Sequence, residues 1–147
     1  MDSSYEAYEK ACKKEREKNE VYLNDFQKWL KDKGLAEKTI RNHVSNVDFY
    51  INDYLCYYEV RDVKEGCYCI SEFLGDWFIR KALWSSCAHI KSNAASIKKF
   101  YALMLEKGVV DQDDYDSLAE DIKEEMPVWL ERMTRFDNMD EDEDDFY

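Results

Sequence analysis

Two short pairs, Cys67-x-Cys69 and Cys87-x-His89, carry the sulfur and imidazole donors that zinc takes. The single-residue gap in each pair is shorter than the usual two. A helix expected over 71–84 would also hold the pairs roughly 20 Å apart at 1.5 Å per residue, whereas zinc ligands sit at about 2.0–2.3 Å. No metal and no cofactor are expected. His43 falls at the edge of an apolar helical stripe, the place of a packed histidine with one hydrogen bond. No Cys/His or Ser/His/Asp set can be assembled from the spacing, and there is no glycine-rich phosphate loop. The sequence therefore supplies no catalytic residues, and the chain is not expected to be an enzyme.

Cations on helix flanks offer a different chemistry. Lys91, Ala95, Lys98 and Lys99 share one side of a helix, and Lys38, Arg41, Asn42, Ser45 and Asn52 line the polar side of another. Lysine and arginine neutralise phosphates, and Asn, Ser or Arg near a helix start can reach base edges. An ordinary solvated helix face would have the same composition.

The elements that would position these flanks are helices. Ile40, Val44, Val47, Ile51, Tyr54 and Tyr58 recur at steps of four and three, predicting an amphipathic helix over about 37–58. Phe49 lies opposite that stripe, as a packing contact with the first helix or the N-terminal extension, or as a contact for a partner. Before it, Tyr22, Phe26, Trp29 and Leu30 predict a helix over 19–33, which Gly34 ends in a left-handed turn with Leu35 folding back. Residues 3–18 read as a frayed extension or a projecting helix. After a loop over 59–69, Ser71 is expected to cap a third helix running to about Trp84, with Gly75 allowing close packing. A fourth, over 89–107, buries Ile90, Ala94, Ile97, Tyr101, Met104 and Leu105 and ends at Gly108. Asp111 caps a fifth, and Pro127 suits the first turn of a sixth.

With 147 residues, 45% hydrophobic, four glycines and one proline, the chain reads as an all-α protein: a compact orthogonal bundle of four core helices with one or two C-terminal ones. The charged N-terminus and the lack of an apolar run of ~20 residues predict a soluble, cytoplasmic protein with no membrane partner. Five cysteines, an odd number without a secretion signal, are expected to be reduced. The net charge of −12 is unevenly placed. Residues 1–33 hold 8 basic and 8 acidic side chains, 34–110 hold 10 and 9, and 111–147 hold 3 and 16. The acidic excess thus lies in the last quarter, and residues 137–147 are expected to be a disordered acidic tail. Such a tail mimics DNA, covers the chain's own basic face, binds a basic partner, or simply solubilises.

Phe26-x-x-Trp29-Leu30, Lys33-Gly34-Leu35, Thr39-Ile40 and Ser96-Ile97-Lys98-Lys99-Phe100-Tyr101, followed by Glu106-Lys107-Gly108-Val109-Val110, carry a family resemblance. Over residues 19–110 the chain resembles the N-terminal core-binding (SAM-like) domain of tyrosine recombinases and phage integrases, four or five helices that clamp DNA. The resemblance implies a core-binding-like domain over 19–110, which the residue pattern flanks with a helical or frayed extension over 1–18, C-terminal helices over 111–136 packed on it, and the tail over 137–147. It also implies that the second and fourth helices face DNA, which nominates Lys38, Arg41, Asn42, Ser45, Lys91, Ser92, Lys98 and Lys99. The family's chemistry needs a downstream domain with arginines, a lysine, histidines and a nucleophilic tyrosine. Only 37 residues follow Val110, with no histidine and only Arg132 and Arg135, and Tyr147 follows an acidic run that would repel a phosphodiester. The resulting expectation is a non-catalytic DNA-binding module, accessory to DNA recombination or integration, with DNA and a recombinase or another protein as partners. The competing one is a protein-interaction module using Phe49 or the acidic segment, with no DNA binding.

Overall fold

Six α-helices joined by π and 3₁₀ turns make up the regular structure of the described residues, in agreement with the all-α expectation. The structure, a computed structural model, describes residues 3–145, with side chains from Ser4 to Met139; expectations for Tyr147 lie outside the described residues. The elements are α1 (Ser3–Asp32), α2 (Glu37–Asp48) with a π turn (Phe49–Tyr54), a 3₁₀ turn (Glu65–Tyr68), α3 (Ile70–Glu72), a second π turn (Phe73–Trp77), α4 (Phe78–Lys81), α5 (Cys87–Glu106) and α6 (Gln112–Asp145).

Residues 3–18 neither fray nor project: they continue into 19–32 as one helix. Tyr8 Oη donates to the Cys56 carbonyl, and Cys12 is buried against the same segment, so local contacts at the end of the π turn hold the extension down. The helix stops where expected. Gly34 has φ +86°, its N–H reaches Lys31 O at 2.9 Å, and Leu35 N–H reaches Leu30 O at 3.3 Å. This Schellman closure needs a left-handed residue that glycine adopts without a Cβ penalty. Gly108 (φ +76°) ends α5 the same way, with Val109 N–H on Met104 O at 2.9 Å.

The helix predicted over 37–58 is shorter and changes register. Leu55 N–H bonds Tyr50 O, five residues back, so the π turn adds a residue to the turn. That extra residue brings Tyr50, Ile51, Tyr54 and Leu55 into the core together and leaves Tyr58 exposed. Phe49 is half-buried, but on residues 73–84 rather than on α1: its ring lies 5.7 Å from Trp77 and 5.2 Å from Trp84.

Ser71 is not a cap, because the third helical stretch already begins at Ile70. Gly75 does permit close packing, since a Cβ there would meet Trp129 Cδ1 at 2.8 Å. The fourth expected helix starts two residues early, capped by Ser86, whose hydroxyl accepts from His89 N–H at 3.1 Å.

Asp111 caps α6 as expected: it accepts from Asp114 N–H at 2.8 Å while Asp114 accepts from Asp111 N–H at 3.0 Å. Pro127, however, starts no sixth helix. One helix runs through it from Gln112 to Asp145. Leu118, Ile122, Met126, Trp129, Met133 and Phe136 form one stripe against the core, and Pro127 lies exposed on the other side. Packing along the whole stripe outweighs the missing N–H bond, whose cost alone is about 3 kcal/mol or more. The backbone is also helical over 137–145, where a disordered tail is expected.

One continuous core joins α1 to α6. Phe26, Leu30, Tyr50, Tyr54, Phe73, Phe78, Phe100 and Trp129 are fully buried in it. Two of the buried tyrosine hydroxyls are used, Tyr50 donating to Gly66 O at 2.6 Å and Tyr101 to Val63 O at 2.7 Å, whereas that of Tyr54 has no partner. Against this core α2 and α5 lie side by side, with α1 behind α2 and α6 along the far side of α5.

Candidate nucleic-acid interface

The seam between α2 and α5 is polar. Asn42 Nδ2 donates to Ser92 Oγ at 3.2 Å, and Asn46 Nδ2 donates to Ser92 Oγ at 3.1 Å and to Ser96 Oγ at 3.0 Å. His43 Nδ1 shares a 2.7 Å hydrogen bond with Ser96 Oγ, and the Ser96 hydroxyl is also within 3.0 Å of Ser92 O. Asn42 and Asn46 lie four residues apart, as do Ser92 and Ser96, so each pair faces the neighbouring helix from one side of its own. The seam joins the two flanks into one outer wall.

Around each helix at 100° per residue, the nominated residues fall in order outward from the seam. On α2, Lys38 and Ser45 come next after Asn42, and Arg41 lies further out. On α5, Lys99 is on the seam side, while Lys91 and Lys98 lie beyond Ala95 toward the side that packs on α6. Lys38, Arg41, Asn42, Ser45, Lys91, Lys98 and Lys99 are all exposed, and Ser92 is half-buried. Asn42 and Ser92 are spent on each other. They hold the wall together, so the side chains left facing outward are the five cations and Ser45.

Arg41 has a loose, exposed pair with Glu37 at 4.0 Å. Among the described residues, Lys38, Lys91, Lys98 and Lys99 have no carboxylate within ion-pair distance. The acidic α6 packs along α5 and on the segment 65–81, and at the start of α5 the Cys87 Sγ lies 3.7 Å from both Leu130 O and Thr134 Oγ1.

His43 is the packed histidine expected from its position. Burial, and then the Lys99 charge, lower its pKa, so it is neutral near pH 7 and holds its serine as a structural link. The zinc-type pairs are occupied separately. Cys69 Sγ lies against Arg61 and Glu65 O, whereas His89 Nδ1 bonds Ser86 Oγ at 2.8 Å. Burial pushes the Cys67 thiol up to about 12, far from thiolate reactivity. All five cysteines are free. No described helix is long and apolar enough to cross a membrane.

Asn46 and Ser96 were not among the nominated residues. Their four-residue spacing from Asn42 and Ser92 is the signal that would have found them. No family model, curated protein or solved structure matches the chain. The recombinase resemblance therefore rests on the residue pattern alone.

Proposed function

We propose that the chain is a non-catalytic helical module that binds duplex DNA through the α2–α5 wall and is accessory to recombination or integration. The observation that carries this reading is the Asn42–Ser92 hydrogen bond, which sets cations from two helices on one surface. Five exposed cations there can meet phosphates, and Ser45 projects from the same wall. The acidic helix α6 packs on α5, and its negative charge limits the affinity by long-range repulsion.

The test is a titration of the full chain and of a chain lacking residues 137–147 against a labelled duplex. Binding that weakens steeply with salt and strengthens on removing the acidic segment supports DNA recognition. No retention by either chain at low salt would leave the protein-interaction reading in its place.

A further inference from the structure

The wall ends in a cleft of opposite character. We propose that this cleft, at the C-terminal end of α2, receives a single cationic head group, a guanidinium or ammonium, carried on a basic segment of a partner protein.

The cleft has a volume of about 290 Å³ and is lined by Ser45, Asp48, Phe49, Asp53, Trp84 and Asn93 among others. That is at the small end of ligand pockets, ~300–1,000 Å³, and suits one side-chain head group rather than a cofactor. Two of its walls are aromatic. The rings of Phe49 and Trp84 stand 5.2 Å apart at 66°, and Trp84 is 51% exposed, a surface that invites a cation over a ring face. The other walls are acidic and amidic.

Asp48 is held in place by a relay that starts inside the fold. Buried Asn19 of α1 donates to Asn52 Oδ1 at 2.9 Å, and Asn52 Nδ2 donates to Asp48 Oδ1 at 2.5 Å. Burial, and then the charge of Asp48, raise the Asp53 pKa, as happens where two carboxylates lack a counter-ion. Arg16 acts in the opposite direction, but its guanidinium donates to Asn52 O and lies outside ion-pair distance of Asp53.

A separate observation points the same way. Asn93 is only 2% exposed yet lines the cleft, with Nδ2 committed to His89 O at 2.8 Å and Oδ1 without a protein donor. That oxygen is not sealed inside the fold, so it is open to a donor that arrives through the cleft. Guanidinium and ammonium have donors only, so either would satisfy Asn93 Oδ1 and the two carboxylates at once while stacking on the rings.

The probes are capped Gly-Arg-Gly and Gly-Lys-Gly peptides, with Gly-citrulline-Gly as the neutral isostere. The readout is the Trp84 indole N–H resonance of the full chain, assigned by Trp84→Phe. A saturable shift is expected with the arginine or lysine peptide, with a dissociation constant on the order of 1 mM. Binding should be at least tenfold weaker in the Asp48→Asn/Asp53→Asn variant, with no saturable shift for citrulline. Lys98→Glu/Lys99→Glu, outside the cleft, should bind the peptide as the wild type does, which keeps this outcome separate from that of the DNA titration. A citrulline shift equal to that of arginine, no saturation by about 10 mM, or unchanged binding in the double asparagine variant with wild-type circular dichroism would overturn it.

Discussion

Changing Lys98 and Lys99 to glutamate reverses two of the five exposed charges of the α2–α5 wall and removes no hydrogen bond of its seam and no core side chain. If each of Lys38, Arg41, Lys91, Lys98 and Lys99 neutralises one phosphate, the logarithm of the binding constant falls with the logarithm of salt at a slope of about −4.5, from about −0.9 per phosphate. Between about 50 and 200 mM salt that slope weakens binding by roughly 500-fold. Removing two contacts lowers the slope to about −2.7 and the change to roughly 40-fold, and the introduced carboxylates weaken binding further at low salt. Fluorescence anisotropy with one duplex across that salt range reads both quantities. Thermal unfolding should be nearly unchanged, because exposed substitutions away from special contacts stay within about 0.5 kcal/mol. An unchanged slope and affinity in the variant, with the fold intact, would refute the assignment of these lysines to the interface. A wild-type slope near zero would refute phosphate recognition altogether.

Further outcomes follow from the fold. Gly34→Ala forces a Cβ into a left-handed position and should lower stability by roughly 1–2 kcal/mol in urea unfolding, although nothing crowds the site. Because His43 has a lowered folded pKa, the unfolded chain binds a proton first as the pH falls. Its contribution to stability is complete above the unfolded value of about 6.5 and is lost as the pH drops below it. Wild type should therefore lose more of its urea midpoint than His43→Gln between about pH 7 and pH 5, and parallel losses would show that His43 titrates as freely folded as unfolded.

Much of the helical architecture was legible because its signals are local. Gly34 and Gly108 end their helices through the turn that their position after a lysine suggested, and Asp111 caps as its type requires. What escaped depends on contacts distant in sequence. The extension over 3–18 is held down by the Cys56 and Tyr57 carbonyls, some forty-eight residues away, which no periodicity within the extension could reveal. Pro127 reads as a helix start, yet Trp129 and Met133 continue the stripe begun by Leu118 and carry the helix through. The π turn at Phe49 looks in sequence like an ordinary continuation, and only the burial of both Tyr50 and Ile51 exposes the shift. At the site, residue type identified the exposed cations, but Asn42 and Ser92 are turned to each other. The sequence pattern puts Trp84 at the end of a helix. It belongs instead to the connection between α4 and α5, where its ring meets Phe49.

The most direct test of the two-helix wall is an amide NMR titration of the isotopically labelled full chain with an unlabelled duplex at low salt. Shifts that appear together over 38–45 and 91–99, and disappear as salt is raised, are the predicted result. Shifts confined to one of the two helices, shifts centred on α6, or no shifts at all would contradict it.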